Sequence, residues 1–361
     1  MRVAMLVPGL APHDAVSNDA RGMAGALRAL GHEVALFAPH ARGIDEAVLD
    51  PQTLHAWLHS REDVVIYHYC VGWDFALDLL RRTRARRIVR YHNITPPAFF
   101  EGWSPGYVNA CAEGRAQLAA FAALGCELYL GDSPYNIEDF TSRGVAAERC
   151  VVLPPFHEID ELLALAPDAR RIPRGGPLLL MVGRQSPNKG YLELIDALAA
   201  TVADGLSAAR LLLIGKLDPN LASYGAAVQA RIAERGMQDH VVWLQDANGA
   251  ELRAACEHAG MLVMLSRHEG FCVPLVEAMA IGTPVIALAS SAMPSTLGTA
   301  GLLWPEDADA WLIAATIARV HADLDLRTTL RERGRQRYAE VFAPARLAAE
   351  LARILREHGF A

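Results

Sequence analysis

Short apolar runs alternate with amphipathic stretches through the first half of the chain. Apolar runs of this length predict strands of a parallel sheet that is covered on both faces. Helical patterns separate them, notably about 105–124 and 134–143, and Asp19 is predicted to cap a helix ending near Leu30. The predicted strands are 3–7, 33–39, 63–69, 87–93, 127–130 and 150–155. This alternation predicts a doubly wound α/β domain over 1–155.

A segment rich in proline and glycine, 156–177, follows and is predicted to be a linker. The alternation then restarts and predicts a second Rossmann-like domain over 178–342. Its predicted strands are 177–184, 209–215, 241–244, 261–265 and 284–288, with helices at about 190–203, 223–236, 249–259 and 274–281 and three more at about 307–321, 325–339 and 344–357. The predicted fold class is α/β, with two doubly wound domains facing a cleft at the carboxyl ends of their strands.

The composition limits the classes of partner and the cellular compartment that we expect. A length of 361 residues suits two domains, and a net charge of -7 disfavours nucleic acid as a partner. The six cysteines show no CxxC pair and no zinc-ligand spacing, which favours a reducing, cytoplasmic compartment. No apolar stretch reaches about 18 residues, so we expect no membrane-spanning helix. Peripheral contact with the inner face of the cell membrane stays open.

The segment 266–287, SRHEGFCVPLVEAMAIGTPVIA, carries two glutamates eight residues apart. Glu269 follows a predicted strand, and Glu277 lies one turn into the next helix, which Pro274 is suited to begin. A carboxylate can accept hydrogen bonds from vicinal sugar or ribose hydroxyls. Alternatively, Glu277 only complements a helix N-terminus and Glu269 is a solvated charge. Backbone N–H groups expected to face the ligand are those near Gly270, Phe271, Cys272 and Val273.

The segment 181–198, MVGRQSPNKGYLELIDAL, places two cations between a predicted strand and a helix. Arg184 and Lys189, together with the helix N-terminus, could hold a diphosphate without a metal ion. Alternatively, this is an ordinary solvated loop.

Together these two segments resemble retaining glycosyltransferases of the GT-B fold, glycosyltransferase family 4. The resemblance is weak at the N-terminus and strong from about 178 to 305. It implies that Arg184 and Lys189 hold a donor diphosphate, Glu277 the ribose hydroxyls and Glu269 the transferred sugar. It implies no metal ion and no cofactor, and a C-terminal helix, about 343–361, that packs back on the N-terminal domain.

The N-terminal half departs from this family. Relatives often have a Gly-Gly pair after the first strand, whereas the polar loop 8–20 has only Gly9, so Ser17 and Asn18 are expected to reach the donor instead. His92 ends a predicted strand, and the resemblance implies a place beside the sugar's anomeric centre. The alternative is a structural histidine, the role we expect for His68.

Two further features of this half have two interpretations each. The segment 81–90 contains six arginines. They could form a basic patch that binds an anionic lipid or a diphosphate-linked acceptor. Alternatively, they form a solvated helix end, which we favour. The apolar segment 96–103 forms either an acceptor lip or a loop packed on the core.

The sequence thus predicts a retaining, metal-independent hexosyltransferase. The expected donor is a nucleotide sugar, and we expect GDP-mannose before a UDP-sugar. The string YHNITPP.FF (91–100) resembles a subset of bacterial enzymes that build polysaccharides or lipid-linked glycans, and those enzymes often use GDP-mannose. The expected acceptor is a hydroxyl of a glycan, a lipid-linked glycan or a small molecule. The alternatives are a glycoside phosphorylase or nucleotide-sugar epimerase of the same fold, and a catalytically silent partner subunit.

Overall fold

The chain folds into two compact units in a computed structural model that describes residues 1–360. The first unit comprises Met1–Ala98, Tyr107–Glu158 and the described residues from Ala343 onward. The second comprises Phe99–Gly106 and Ile159–Phe342. Each unit is therefore built from segments that are separated in the sequence.

The first unit contains one seven-stranded parallel sheet in the order β3-β2-β1-β4-β5-β6-β7. The six predicted strands of this half are all present, and the two-residue strand β3 is too short to give a sequence signal. The strands are β1 (Arg2–Leu6), β2 (Glu33–Phe37), β3 (Val48–Leu49), β4 (Val64–Tyr69), β5 (Arg86–Tyr91), β6 (Leu128–Gly131) and β7 (Cys150–Val152).

Helices cover this sheet. They are α1 (Ala15–Ala29), α2 (Leu54–Trp57), α3 (Asp74–Arg82), α4 (Pro105–Ala123), α5 (Pro134–Thr141) and α14 (Pro344–Glu357). Helix α14, the last of the chain, places Leu347, Leu351 and Ile354 in one buried cluster with Val3 and Met5 of β1. The C-terminal segment therefore forms part of the core of the first unit.

The second unit contains a six-stranded parallel sheet in the order β10-β9-β8-β11-β12-β13. The strands are β8 (Leu178–Val182), β9 (Arg210–Ile214), β10 (Val241–Leu244), β11 (Met261–Met264), β12 (Val285–Leu288) and β13 (Leu302–Trp304). The sequence did not predict β13, a three-residue strand. Two doubly wound parallel-sheet units confirm the predicted fold class.

The helices of the second unit connect its parallel strands and then form its C-terminal part. They are α6 (Ile159–Ala164), α7 (Tyr191–Ala203), α8 (Ala222–Glu234), α9 (Gly249–His258), α10 (Val273–Ile281), α11 (Met293–Leu297), α12 (Ala310–Ala322) and α13 (Leu324–Arg337), and a π-helical turn covers Tyr338–Phe342. The segment predicted as a linker contains α6, and α11 was not predicted. Among residues 1–360, no helix has both the length and the apolar character of a membrane span.

The start of α1 corrects the predicted cap residue and the predicted extent of the polar loop. Asp14 caps the helix by accepting a hydrogen bond from the Ser17 N–H (2.8 Å), so Asp19 is not the cap and lies buried in the second turn. Ser17 and Asn18 belong to this first helical turn and not to a polar loop. The Ser17 hydroxyl is buried, donates to Asp14 and accepts from the Ala11 N–H. The Ser17 side chain thus takes part in a local capping interaction, and the contact of Ser17 and Asn18 with a donor stays a prediction.

The segment 99–106 packs in the second unit although it follows β5 in the sequence. The Trp103 ring meets the edge of Tyr224 at 5.1 Å, and Phe99 lies 6.0 Å from the His268 ring. The Ser223 hydroxyl donates to the Trp103 carbonyl. Of the two interpretations of the apolar segment 96–103, these contacts favour a loop packed on a core.

Candidate functional site

The loops after β8 and β11 lie side by side because these two strands are neighbours in the sheet. The Lys189 Nζ atom is 2.6 Å from Glu269 Oε1. Between the same loops, the Asn188 side-chain amide donates to the His268 carbonyl and the Arg267 N–H donates to the Asn188 carbonyl. The two segments that the sequence singled out therefore come together in the second unit.

Gly190 allows this close approach. Its φ of +71° is in the left-handed region, and it stands at the N-terminus of α7. A Cβ atom added here would lie 2.3 Å from the Leu265 carbonyl oxygen, a backbone atom that cannot move aside cheaply. Only glycine satisfies both conditions without strain.

Glu269 is fixed from two sides. Its side chain is held by Lys189, and its backbone N–H donates to the Ser291 hydroxyl at 2.8 Å. The residue is only 8% exposed, so water competes weakly for the ion pair. A partly desolvated carboxylate and ammonium side by side can bind a hydroxyl and a phosphate oxygen, respectively.

Arg184 is held on the opposite side of the β8 loop, next to β9. Its guanidinium Nη1 lies 3.1 Å from Asp218 Oδ2, and the side chain is half exposed. The following residue, Gln185, donates its N–H to the Lys216 carbonyl. The two cations predicted to share a diphosphate thus have separate carboxylate partners in this structure.

The N-terminus of α10 presents backbone donors. Cys272 caps the helix with a φ of +76°, a conformation that costs a non-glycine residue roughly 1–2 kcal/mol and is often found at functional sites. Within residues 1–360, the N–H groups of Phe271, Cys272 and Val273 have no protein acceptor. Such a helix end is suited to bind an anion. Burial, together with Glu269, raises the pKa of the Cys272 thiol well above its usual value, so the thiol stays neutral.

Glu277 lies in the middle of α10 and is partly buried. Its carboxyl group makes no hydrogen bond or ion pair with the rest of the described chain. Desolvation raises its pKa to about 7. An unpartnered carboxylate in this position is an available acceptor for ligand hydroxyls.

The first unit carries a buried ionic cluster where β4, β5 and β6 end. Arg90 is fully buried and donates to both carboxylate oxygens of Asp19, at 2.9 and 3.2 Å, and contacts Asp132 Oδ1 at 2.7 Å. Burial opposes the charge on both partners, but their mutual attraction prevails. The pKa of Asp19 is therefore lowered and that of Arg90 is raised.

His92 belongs to this cluster. Its Nδ1 lies 3.1 Å from Asp132 Oδ2, and its Nε2 lies 2.9 Å from Nδ1 of His68. Because the Asp132 carboxylate can only accept, the network assigns the proton of His92 to Nδ1, and His68 then donates to Nε2. Burial lowers the pKa of His68 well below its usual value, so that ring is neutral. Both nitrogens of His92 are engaged, which fits the structural interpretation, and its place beside the sugar's anomeric centre stays a prediction.

One side-chain group in residues 1–360 has the proximity that a metal site needs. The ligand atoms of Asp19, His68 and His92 all lie within 4.8 Å of one another. However, Arg90 already neutralises Asp19 through two hydrogen bonds. The cluster is thus held together as an ion network, in which His68 Nε2 is buried without a hydrogen-bond partner.

Sequence reasoning missed the partners in both regions. Asp218 and Ser291 gave no signal, since each lies in a different loop from the residue it contacts. Arg90 and Asp132 did give a signal. Arg90 is a charged residue inside an apolar strand, and Asp132 is a carboxylate directly after the next strand. Buried charges require a counterion, so these two could have been paired.

Comparison with known proteins supports the resemblance to glycosyltransferases. The family model of glycosyl transferases group 1 matches residues 166–337, slightly less than half of the chain. The chain is 32% identical over 180 residues to an MMP alpha-(1->4)-mannosyltransferase from Mycolicibacterium hassiacum, with 48% of this chain and 41% of the relative covered. It is also 32% identical over 202 residues to the GDP-mannose:cellobiosyl-diphosphopolyprenol alpha-mannosyltransferase of Xanthomonas campestris, with 54% and 50% covered.

The chain thus spans half or less of the length of these two relatives. Among solved structures, the sucrose-phosphate synthase of Thermosynechococcus elongatus superimposes with a TM-score of 0.75 over 99% of this chain and 98% of that one, at 21% identity. This likeness extends the shared fold to both units. The second unit is therefore similar to the glycosyl transferases group 1 family, in a chain whose two units share the GT-B fold.

Proposed function

We propose that this protein is a retaining hexosyltransferase that uses a nucleotide diphosphate sugar as its donor. The observation that carries the proposal is the Lys189–Glu269 ion pair of 2.6 Å, in the same unit as the unpartnered N–H groups at the start of α10 and the free carboxyl group of Glu277. These are the groups that a sugar, a diphosphate and a ribose would each need. The chain has all four charged residues that the family resemblance assigns to the donor, two cations and two glutamates, which argues against a silent subunit.

In this proposal the chain acts by positioning and electrostatics. Lys189, Arg184 and the α10 N-terminus stabilise the negative charge that grows on the departing diphosphate. Arg184 exchanges Asp218 for the phosphates, a change that its half-exposed side chain permits. Glu269 orients the sugar, and Glu277 accepts from the ribose hydroxyls. The acceptor hydroxyl attacks on the face from which the diphosphate leaves, and its proton passes to the leaving oxygen, which retains the anomeric configuration.

Mannose from GDP-mannose is the preferred donor in this proposal. Both curated relatives are named as mannosyltransferases, and one name specifies GDP-mannose. A UDP-sugar is the second choice. The acceptor is a hydroxyl of a glycan, a lipid-linked glycan or a small molecule.

The donor diphosphate is proposed to bind without a metal ion, because side-chain cations and a helix N-terminus supply the positive charge. Transfer should then persist after exhaustive treatment with a chelator. Loss of activity on chelation and its return with added Mg²⁺ or Mn²⁺ would overturn this part of the proposal.

The test is a transfer assay with GDP-mannose and UDP-glucose, a panel of acceptors, and NMR detection of the new anomeric signal. We expect release of a nucleoside diphosphate and a product with the donor's anomeric configuration. Glu269→Gln should abolish turnover, whereas Glu332→Gln, an exposed carboxylate on α13, should not. Turnover that requires inorganic phosphate would indicate a phosphorylase. Conversion of the donor to its epimer would indicate an epimerase.

A further inference from the structure

The run of six arginines in 81–90 divides into two groups in the structure. Four have structural partners: Arg81 pairs with Asp78, Arg86 with the Gly359 carbonyl, Arg87 with Glu127, and Arg90 with Asp132. Arg82 and Arg84 are exposed and form no ion pair with residues 1–360. The structure thus leaves two arginines of the run without a structural role in charge balance.

Arg82 and Arg84 line one depression in the first unit, together with Arg61. The depression has a volume of about 370 Å³, near the lower end of the range for small-ligand sites. Arg61 is likewise exposed and unpaired within the described chain. No carboxylate lines the depression; the lining residues are His55, Leu58, His59, Ser60, Arg61, Arg82, Thr83, Arg84 and Ala85.

This concentration of positive charge is unusual in a protein with a net charge of -7. Arg82 lies in the last turn of α3, where a cation also complements the helix dipole. Arg61 and Arg84 lie outside the helix and have no such partner. A guanidinium group can bind phosphate oxygens through paired N–H groups, so three arginines that line one concavity suit a phosphate ligand.

The depression is separate from the His68 and His92 cluster of the same unit. Residues 59–61 and 83–85 precede β4 and β5, so they lie at the amino ends of the strands, where Val64 pairs with Arg86. The His68 and His92 cluster lies at the carboxyl ends. Four residues of strand, roughly 13 Å, separate the two edges.

We propose that this basic depression is a binding site for a phosphate-bearing anion. The ligand is either a free phosphate compound or the headgroup of an anionic phospholipid, since both present the same oxygens to the arginines. The proposal does not depend on the proposed transferase function, because its readout is binding alone.

The test compares two triple variants that change the net charge equally. The depression variant is Arg61→Gln/Arg82→Gln/Arg84→Gln. The matched control is Arg331→Gln/Arg333→Gln/Arg346→Gln, three exposed arginines that have no ion pair within residues 1–360. In the first arm, inorganic pyrophosphate is titrated in an Arg184→Ala/Lys189→Ala background, which removes the two cations of the donor loop. In the second arm, the otherwise unaltered protein is sedimented with phosphatidylcholine vesicles that contain phosphatidylglycerol.

We expect the depression variant to lose binding by about tenfold or more in at least one arm, while the control retains it, since each arginine near an anionic surface contributes roughly 1 kcal/mol, about fivefold in affinity. An effect with pyrophosphate alone identifies a free phosphate ligand, and one with vesicles alone identifies a lipid headgroup. Equal binding by the depression and control variants in both arms would overturn the proposal. If the triple variant does not fold, Arg84→Gln with Arg331→Gln as its control gives the same comparison.

Discussion

At the scale of single residues, the candidate site combines a satisfied ion pair with an unsatisfied carboxyl group. Lys189 and Glu269 neutralise each other, whereas Glu277 has no partner and its pKa is raised to about 7 by desolvation. The Lys189–Glu269 ion pair needs no ligand to be stable. Glu277 is charged near neutral pH at a cost to folding, which a ligand hydroxyl would relieve.

Glu277 should make the stability of the protein fall as pH rises. Its folded pKa of about 7 exceeds its ordinary value of 4.5, so between these values the folded protein binds more protons than the unfolded chain. The free energy of unfolding therefore decreases through that window. Glu277→Gln should remove about 1–3 kcal/mol of this decrease, measured by urea unfolding at pH 5 and pH 8. A pH dependence identical in wild type and variant would contradict the assigned pKa.

Donor binding should show the opposite pH dependence. Ligand hydroxyls donate to the ionised carboxylate, so affinity for a nucleotide sugar, whose diphosphate does not titrate near neutrality, should rise between pH 6 and pH 8. The fraction of ionised Glu277 predicts about a five- to tenfold change. Calorimetric titration measures it, and Glu277→Gln should give weaker binding with a flat profile.

Removal of Lys189 should separate binding from chemistry. Lys189→Met takes a cation from the proposed diphosphate site and leaves Glu269 buried without its partner. We expect nucleoside diphosphate binding to weaken by about 10- to 100-fold, the usual range for a lost charged hydrogen bond. Glu269→Gln should lower the rate of turnover much more than nucleotide affinity. The reverse pattern, measured by calorimetry and steady-state kinetics, would exchange the two proposed roles.

At the scale of elements, the site depends on how closely α7 approaches β11. Gly190 begins α7 with a φ of +71° and leaves no room for a Cβ beside the Leu265 carbonyl. The loop that carries Lys189 is thereby pressed against the loop that carries Glu269. The sequence predicted both loops and the helix start, because strand ends, Gly190 and Pro274 give local signals.

Gly190→Ala should destabilise the second unit by about 3 kcal/mol or more, since it adds a backbone clash to the cost of a left-handed residue. The control is Gly205→Ala, where φ is also positive (+104°) but an added Cβ would meet no atom within 4 Å. The control should lose only about 1–2 kcal/mol. Denaturant unfolding of both variants compares them directly, and equal losses would show that the close approach to Leu265 is relaxed at little cost.

The sequence could not predict how α1 begins. Asp14 and Asp19 are both suitable caps by residue type, and only the position of Arg90 in β5 decides that Asp19 turns inward. That pairing spans 71 positions along the chain, so no local pattern reports it. The same limit applies to Asp218 and Ser291, which meet Arg184 and Glu269 only after the strands are aligned.

At the scale of the whole molecule, each unit is formed by segments that lie apart in the sequence. The last helix, α14, belongs to the core of the first unit, and 99–106 packs in the second. The alternation of strands and helices predicted two doubly wound sheets correctly. It could not predict these exchanged segments, because amphipathicity shows that a surface is buried without showing against which unit.

Leu351→Ala should therefore destabilise the first unit although it lies ten residues from the chain end. The side chain is fully buried in the cluster with β1, so its loss should cost about 2–5 kcal/mol. Leu324→Ala, at a leucine that is 67% exposed, is the control and should cost little. Tryptophan fluorescence and hydrogen exchange during unfolding would locate the change. Destabilisation confined to the second unit would contradict the assignment of α14.

The most direct measurement for the central claim is a calorimetric panel with GDP, UDP, ADP and their sugar conjugates, on wild type and on Arg184→Ala/Glu277→Ala. The account predicts that one nucleotide family binds wild type, with GDP and GDP-mannose first, and that the double variant loses this binding. A ligand at about 100 times its dissociation constant would also stabilise the protein by about 2.7 kcal/mol. Absence of binding by every nucleotide, or equal binding by wild type and variant, would contradict a donor site in the second unit.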